Sequence, residues 1–268
     1  MPELPEVETI RRDLEKNILR KTFRSVKILD PLVVRSPHKD FIRNITGAQI
    51  HSIIRKGKAL LIELSKENFL LVQLMMTGQL LTQSQSDKHT RVHFDFTDGS
   101  RLLYNDQRRF GQLRLIKDFT EVKYLNILGP EPFEKGFSAA YVFEKTRGSR
   151  RPIKNLLLDH TFVAGIGNIY ACEILFRCGI NPQRLAGRVT QAQAQGIYQQ
   201  SVEVLREAIK NRGSSIRNYR DAAGEKGKFN RLIQVYGREH QACPKCQRSI
   251  LRVVQAGRST FYCSKCQS

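Results

Sequence analysis

Nowhere in the 268 residues does an apolar run approach the ~20 residues that a bilayer-spanning helix needs. The N-terminal stretch MPELPEVETIRR is acidic and lacks the apolar segment of a secretory signal, so a cytoplasmic protein is expected. No internal repeat is evident, which argues against a solenoid or propeller. With 40% hydrophobic and 26% charged residues, the composition excludes a disordered chain. Acidic residues are in short supply, 25 against 45 Lys and Arg, giving a formal net charge of +20. The deficit is uneven: residues 1–146 carry net +6 and residues 147–268 carry net +14. A strongly basic second half reads either as the electrostatic footprint of a polyanion-binding surface or as a soluble basic surface, and the first, with nucleic acid as partner, is the favoured reading.

Cysteine is sparse except at the C-terminus, where four of six residues form two close pairs. Cys243-Pro-Lys-Cys246 and Cys263-Ser-Lys-Cys266 are separated by sixteen residues. Two such knuckles can enclose one tetrahedral zinc ion with four thiolates, a closed and therefore structural site. The alternative is a set of redox thiols. A terminal unit of 29 residues has too little core to hold itself without a metal. Between the knuckles, LRVV and TFYC read as strands joined by QAGRS, which puts Arg258 at a hairpin tip. That arginine is either a groove or phosphate contact or a solvated surface residue.

Periodicity divides the rest. Residues 5–19 predict a helix, with Pro5 at its first position and Val7, Ile10, Leu14 and Ile18 on one apolar stripe. Residues 23–116 predict short strands. ALLIEL (59–64) and FLLVQL (69–74) flank a polar turn, and Val92, Phe94 and Phe96 alternate with polar residues before the Asp98-Gly99 turn. One helix followed by many closely spaced strands predicts a β-sandwich or barrel. Beyond Gly129, Pro130 and Pro132 the pattern is helical to about 213, where Tyr198, Val202, Leu205 and Ile209 precede Gly213. Residues 214–240 read as a long loop, of the kind that is usually functional or mobile.

Three further motifs carry chemistry. In GIGNIYACEILF (165–176), two glycines precede a helix opening near Asn168. Its backbone N–H groups and the Asn amide form either a phosphate cradle or an ordinary capped turn. Pro2, once Met1 is removed, is a secondary amine beside Glu3 and Glu6, able to act as a Schiff-base nucleophile. Otherwise PELPE is a helix lead-in. Lys58 in RKGKALL, Met76 in LMMTG and Arg108-Arg109-Phe110 in DQRRFG lie on turns of the β region. The last two sets are candidate wedges for unstacking a duplex, although a lone Met is also common core filler.

MPELPEVETIRR, DQRRFG, VAGIGNIYACEILF and the terminal CxxC…CxxC, in that order over essentially the whole chain, resemble the formamidopyrimidine-DNA glycosylases. The resemblance implies an α+β fold: an N-terminal β-sandwich with a leading helix (1–132), a linker (133–139), a helical, helix–two-turn–helix domain with a lesion-capping loop (140–239), and a four-cysteine zinc finger (240–268). It implies excision of oxidised purines from double-stranded DNA followed by β,δ-elimination, by a monomer with one structural zinc, in the cytoplasm with the nucleoid. Pro2 would be the nucleophile and Glu3 a proton donor. Lys58 and Arg258 would contact phosphates and donate protons. Met76, Arg108 and Phe110 would fill the void left by the everted nucleotide, with Arg108 reading the orphaned cytosine. His89, Arg109 and Asn168 would complete the DNA contacts, and the loop 214–228 would close over the base. Departures from the usual pattern are Ala59, Gln73 with Leu74, Arg91 and Gln107. A related enzyme type, endonuclease VIII, prefers oxidised pyrimidines; Leu4 and Arg109-Phe110-Gly111 favour the purine-directed family over it.

Overall fold

The computed structural model describes residues 1–82, 84–215 and 219–268. It falls into two compact units. The first comprises Met1–Asn126 and Ile209–Asn230; the second comprises Ile127–Ala208 and Arg231–Ser268. The segment 209–230 thus returns to the N-terminal unit, a long-range contact that a linear division of the sequence does not carry. Residues 216–218 of the expected lesion-capping loop lie outside the described residues.

The leading helix α1 runs Leu4–Ile18, so Pro5 takes its second position rather than its first. Val7, Ile10, Leu14 and Ile18 are all buried. The strands follow: β1 (Phe23–Ile28), then helix α2 (His38–Ile45), β2 (Ile50–Lys56), β3 (Ala59–Leu64), β4 (Asn68–Gln73), β5 (Gly78–Leu81), β6 (Thr90–Phe96), β7 (Arg101–Asp106) and β8 (Gln112–Ile116), with the short α3 (Lys123–Asn126) after them. They form two four-stranded antiparallel sheets, ordered β1-β6-β7-β5 and β2-β3-β4-β8. Phe23, Phe94, Phe96 and Leu102 of one sheet share a single core with Ile53, Leu60, Ile62 and Val72 of the other, together with α1. This is a sandwich, with inward apolar residues alternating along β6 as expected. Tyr219 and Ala222 of the returning segment belong to the same core.

The second unit holds α4 (Ala139–Thr146), α5 (Ile153–Leu157), α6 (Asn168–Arg177), most of α7 (Gln191–Lys210), and the hairpin β9 (Leu251–Gln255) and β10 (Arg258–Tyr262). The fold class is the expected one. Among the described residues, no helix is long and apolar enough to cross a membrane.

Candidate functional site

Pro2 and Glu3 are both buried at the head of α1. Glu3 is the N-cap of that helix, in a reciprocal capping box with Glu6. The Glu3 N–H donates to Glu6 Oε2 at 2.8 Å, and the Glu3 carboxylate accepts from the Glu6 N–H. The dipeptide is therefore held by the start of the helix itself, on both its backbone and its side chain. Glu6 has a second task, since its Oε1 accepts the Ser214 N–H at 2.7 Å. Glu6 is 1% exposed, so these are low-dielectric hydrogen bonds to a carboxylate, among the stronger kinds. The PELPE motif pointed at Glu6 only as a neighbour; its link to a residue 208 positions away had no local signal.

Lys58 lies half-buried in the two-residue turn between β2 and β3. That turn is braced from α1. Arg55 donates to Glu8 Oε2 at 3.1 Å and to the Gly57 carbonyl at 3.0 Å. Burial pushes the Glu8 carboxyl up, but hydrogen bonds from Arg11 and Arg12 and the charges of Arg11 and Arg55 outweigh it and hold it below the ordinary value. Two acidic positions on one turn of α1 thus fix two different functional segments.

The DQRRFG segment forms an exposed loop between β7 and β8. Its first residue, Asp106, is fully buried and holds the loop together. The Asp106 carboxylate accepts from Thr77 Oγ1 at 2.5 Å, from the Gly111 N–H at 2.7 Å and from the Arg108 N–H at 3.2 Å. Gly111 is needed for space: a Cβ there would stand 1.8 Å from the Tyr104 hydroxyl. Burial, with the Asp106 charge beside it, pushes the Tyr104 phenol well above its ordinary range, so it stays neutral. The side chains carried by the loop point outward: Arg108 stacks over the Phe110 ring at 4.5 Å, and Phe110 is 48% exposed. An exposed Phe under a guanidinium on a pinned loop is a rigid apolar projection. Arg109 takes a left-handed backbone (φ 59°) and approaches Asp30 at 3.7 Å. Arg91, a departure from the family pattern, is used internally; it donates to the Asp106 carbonyl at 2.9 Å and so braces the same loop. Met76 is half-buried on the turn before β5.

His89 and Gln107 line a polar cleft of about 230 Å³ with Gln79, Asp87, Asn105 and Arg220. Sequence reasoning named His89 alone from this set as a DNA contact. Gln79, Asn105 and Arg220 sit on three separate segments, and only the sheet register and the returning segment bring them together.

In the second unit, α6 opens at Asn168 with Gly167 as its N-cap. The Asn168 side chain does not cap the helix. Its Nδ2 donates to the Ser259 carbonyl at 2.9 Å, and its Oδ1 accepts from Lys154 Nζ at 2.6 Å. Lys154 is fully buried and also donates to Thr260 Oγ1 at 2.8 Å. This lysine, unremarked in the sequence, joins α5, α6 and β10. Glu173 of α6 is another buried tether; its carboxylate accepts the N–H groups of Gln234, Val235 and Tyr236 at 2.9–3.0 Å. The chain entering the finger and the finger's second strand are thereby both tied to the helix that carries Asn168.

Arg258 is exposed and begins β10 directly after Ala256-Gly257. Both turn residues have positive φ (47° and 72°), the signature of a tight hairpin turn matched to strand twist. The four thiols of Cys243, Cys246, Cys263 and Cys266 lie within 4.8 Å of one another. Sγ separations are 3.9 Å for Cys243–Cys266 and 3.5 Å for Cys246–Cys263. Zinc–sulfur bonds of about 2.3 Å in a tetrahedron require sulfurs roughly 3.8 Å apart, so the four residues fit one Zn²⁺. These four thiolates would hold the ion as a cross-link and would leave it no coordination position for substrate.

Comparison with known proteins gives three successive family matches along the chain. The formamidopyrimidine-DNA glycosylase N-terminal domain matches residues 1–113, the H2TH domain of that enzyme matches 128–220, and the zinc finger found in FPG and IleRS matches 241–268. The formamidopyrimidine-DNA glycosylase of Desulforamulus reducens is 41% identical over 274 residues, covering 100% of this chain and 99% of the relative. The crystal structure of the MutM (FPG) protein from Thermus thermophilus superposes with a TM-score of 0.91 at 40% identity, over 99% of this chain and 98% of the other. The Lactococcus lactis Fpg in complex with abasic-site DNA superposes with a TM-score of 0.93 at 35% identity, over 99% of both chains. The fold, the ordered motifs and the full-length identity agree: the chain belongs to the formamidopyrimidine-DNA glycosylase family of enzymes.

Proposed function

We propose that this protein is a bifunctional DNA glycosylase and abasic-site lyase that removes oxidised purines from duplex DNA. The observation that carries the reading is the buried Pro2-Glu3 pair fixed in the capping box of α1, at the head of a chain built of the family's three parts. Solved relatives of the same fold are complexes with Fapy-dG, abasic-site and carbocyclic 8-oxo-G DNA. With Met1 attached, the Pro2 nitrogen is a tertiary amide whose lone pair is taken up in resonance. With Met1 removed it is a secondary amine; an unperturbed α-amino group titrates at about 7.7–8.0, and the nearby helix start favours the neutral form while Glu3 and Glu6 oppose it.

In this scheme the amine attacks C1′ of the everted nucleotide as the glycosidic bond breaks and the base leaves. Glu3 protonates the ring oxygen, which opens the sugar and gives an iminium on Pro2. The iminium acidifies the C2′ proton; the Glu3 carboxylate accepts it as the C3′–O bond breaks and the 3′ phosphate leaves. Loss of the C4′ proton from the resulting conjugated iminium then breaks the C5′–O bond and releases the 5′ phosphate. Lys58, Asn168 and Arg258 hold phosphates flanking the lesion, with Lys58 and Arg258 as proton donors in the eliminations. Met76, Arg108 and Phe110 fill the gap in the stack while His89 and Arg109 add backbone contacts. The pinned loop around Asp106 gives that wedge its stiffness.

The test is borohydride trapping on duplexes carrying 8-oxoguanine or thymine glycol. An adduct mapping to Pro2, formed faster with 8-oxoguanine, is the expected result. A protein retaining residues ahead of Pro2 should bind but neither cut nor crosslink. An adduct on Lys58 instead would overturn the nucleophile assignment, and faster excision of thymine glycol would assign the endonuclease VIII specificity.

A further inference from the structure

Arg212 stands just beyond the end of α7 with φ 59°, followed by Gly213 with φ 76°. A non-glycine residue in the left-handed region is strained and persists where its surroundings over-determine it. Here the surroundings are two carboxylates. Arg212 Nη2 lies 2.6 Å from Asp13 Oδ2 on α1 and 2.5 Å from Asp221 Oδ2, and Nε donates to the same Asp221 oxygen at 2.9 Å. Asp221 is 1% exposed; its other oxygen accepts the N–H groups of Ala223 and Glu225 at 3.0 and 2.8 Å. The buried carboxylate is fully paired.

The geometry around this clamp is continuous with α1. Asp13 and Glu6 are seven residues apart, two turns of the helix on one face, roughly 10.5 Å of rise. Glu6 takes the Ser214 N–H and Asp13 takes the Arg212 side chain, so residues 212–214 lie along that face. At the far end, Tyr219 and Ala222 enter the sandwich core, and the Thr82 N–H donates to the Ala222 carbonyl at 2.9 Å. The neck is closed by Lys228 N–H to the Asn211 carbonyl and Phe229 N–H to the Gly213 carbonyl. One arginine thus links the start of the returning segment, its far anchor and the helix that carries Pro2 and Glu3. Nothing in its local sequence marks it.

We infer that Arg212 is a positioning residue of the excision step: by bridging Asp13 and Asp221 it holds residues 212–214 and 219–222 to α1, the helix that carries the nucleophile. The inference rests on the reading of Pro2 and Glu3 given above and on the closure over the base that the family resemblance implies for residues 214–228. Cleavage of a preformed abasic site needs the Pro2-Glu3 pair but no base, and that pair keeps its own hold through the capping box. The two steps should therefore part when the clamp is removed.

The discriminating variant is Arg212→Gly, which relieves the left-handed backbone while deleting both ion pairs, so backbone strain cannot account for a loss. Single-turnover rates at saturating DNA should show base release from an 8-oxoguanine duplex falling about tenfold, the effect of ~1.4 kcal/mol on a barrier. Cleavage of a preformed abasic duplex should stay within about twofold, a barrier change under ~0.5 kcal/mol. Arg212→Lys should fall between, since an ammonium cannot make the two-nitrogen contact to Asp221. Glu6→Gln should depress both steps, because Glu6 also holds Glu3. Equal losses of both steps in Arg212→Gly, or no loss in either, would overturn the inference. Failure of the unsubstituted protein to release 8-oxoguanine would instead overturn the functional reading on which it rests.

Discussion

Between the two sheets of the first unit, Phe23, Phe94, Phe96, Leu60, Ile62 and Val72 exclude water without help. In the finger, Ile250, Phe261 and the buried faces of Cys243 and Cys263 form a far smaller cluster against Cys172, Phe176 and Val235. The sandwich positions its loops with buried acids: Glu6 and Glu8 on α1, and Asp106 under the loop between β7 and β8. The second unit positions Asn168 and the finger with a buried base, Lys154, and a buried acid, Glu173, and adds a metal. The difference teaches where each unit is vulnerable. A large apolar core tolerates the loss of a tether and misplaces one loop. A small one loses its whole arrangement with its cross-link.

The contrast is broken most severely at the metal. Structural zinc in small fingers is worth apparent values of about 10–16 kcal/mol. Cys246→Ser, or chelation, should abolish duplex binding while the sandwich keeps its thermal transition; metal analysis and calorimetry on the same sample check both halves. Active protein containing no zinc would refute the structural role.

Lys154→Met probes the second tether. The buried charge goes, and with it the donor to Asn168 Oδ1 and Thr260 Oγ1. Each unpaired buried acceptor costs about 1–3 kcal/mol, partly offset by the charge no longer held out of water. DNA affinity should fall at least ~10-fold, a binding loss of about 1.4 kcal/mol, with a smaller change in Tm. A titration at fixed salt reads the affinity; an unchanged Kd would show that Asn168 does not depend on this lysine.

Asp106→Asn is the corresponding cut in the first unit. It retains shape but replaces one of two accepting oxygens with a donor, so at least one of the three hydrogen bonds is lost and the rest lose their charge assistance, a loss of roughly 1–3 kcal/mol. Excision of a paired 8-oxoguanine should suffer, while a preformed abasic site, already unstacked in part, is still cleaved. Equal losses on both substrates would place the loop elsewhere in the reaction.

The smallest effect lies at Asp159. Burial raises its pKa, but hydrogen bonds from Arg151 and Thr161 and the Arg151 charge prevail and bring it to about 2 from an ordinary 3.8. A depressed carboxyl contributes stability that is present above its unfolded pKa and lost as pH falls through its folded one. Tm should therefore show a decrement between about pH 4 and pH 2 that Asp159→Asn removes. Arg151 is half exposed, so solvent screening keeps the difference under about 1 kcal/mol.

Periodicity sufficed for α1, for the alternating strand β6 and for the end of α7, because a helix or half-buried strand writes its buried face into residues two, three or four apart. The Cys spacing sufficed for the metal centre, because both knuckles are local and the chain between them is a single hairpin. The motifs named Pro2, Glu3, Lys58, Arg108, Phe110, Asn168 and Arg258 as candidates, since their residue types suit covalent chemistry and phosphate contact. What the sequence could not determine is what holds these residues in place. Asn168 looked like a cap and is instead a link between Lys154 and the finger hairpin. Arg212 carried no signal in the sequence and is a bridge to Asp13, 199 positions away. A buried charge is stable only with its partner, and its partner is chosen by the packing of distant segments, so neither carries a local signature. Tertiary structure alone decided which acids and bases became the tethers of the site.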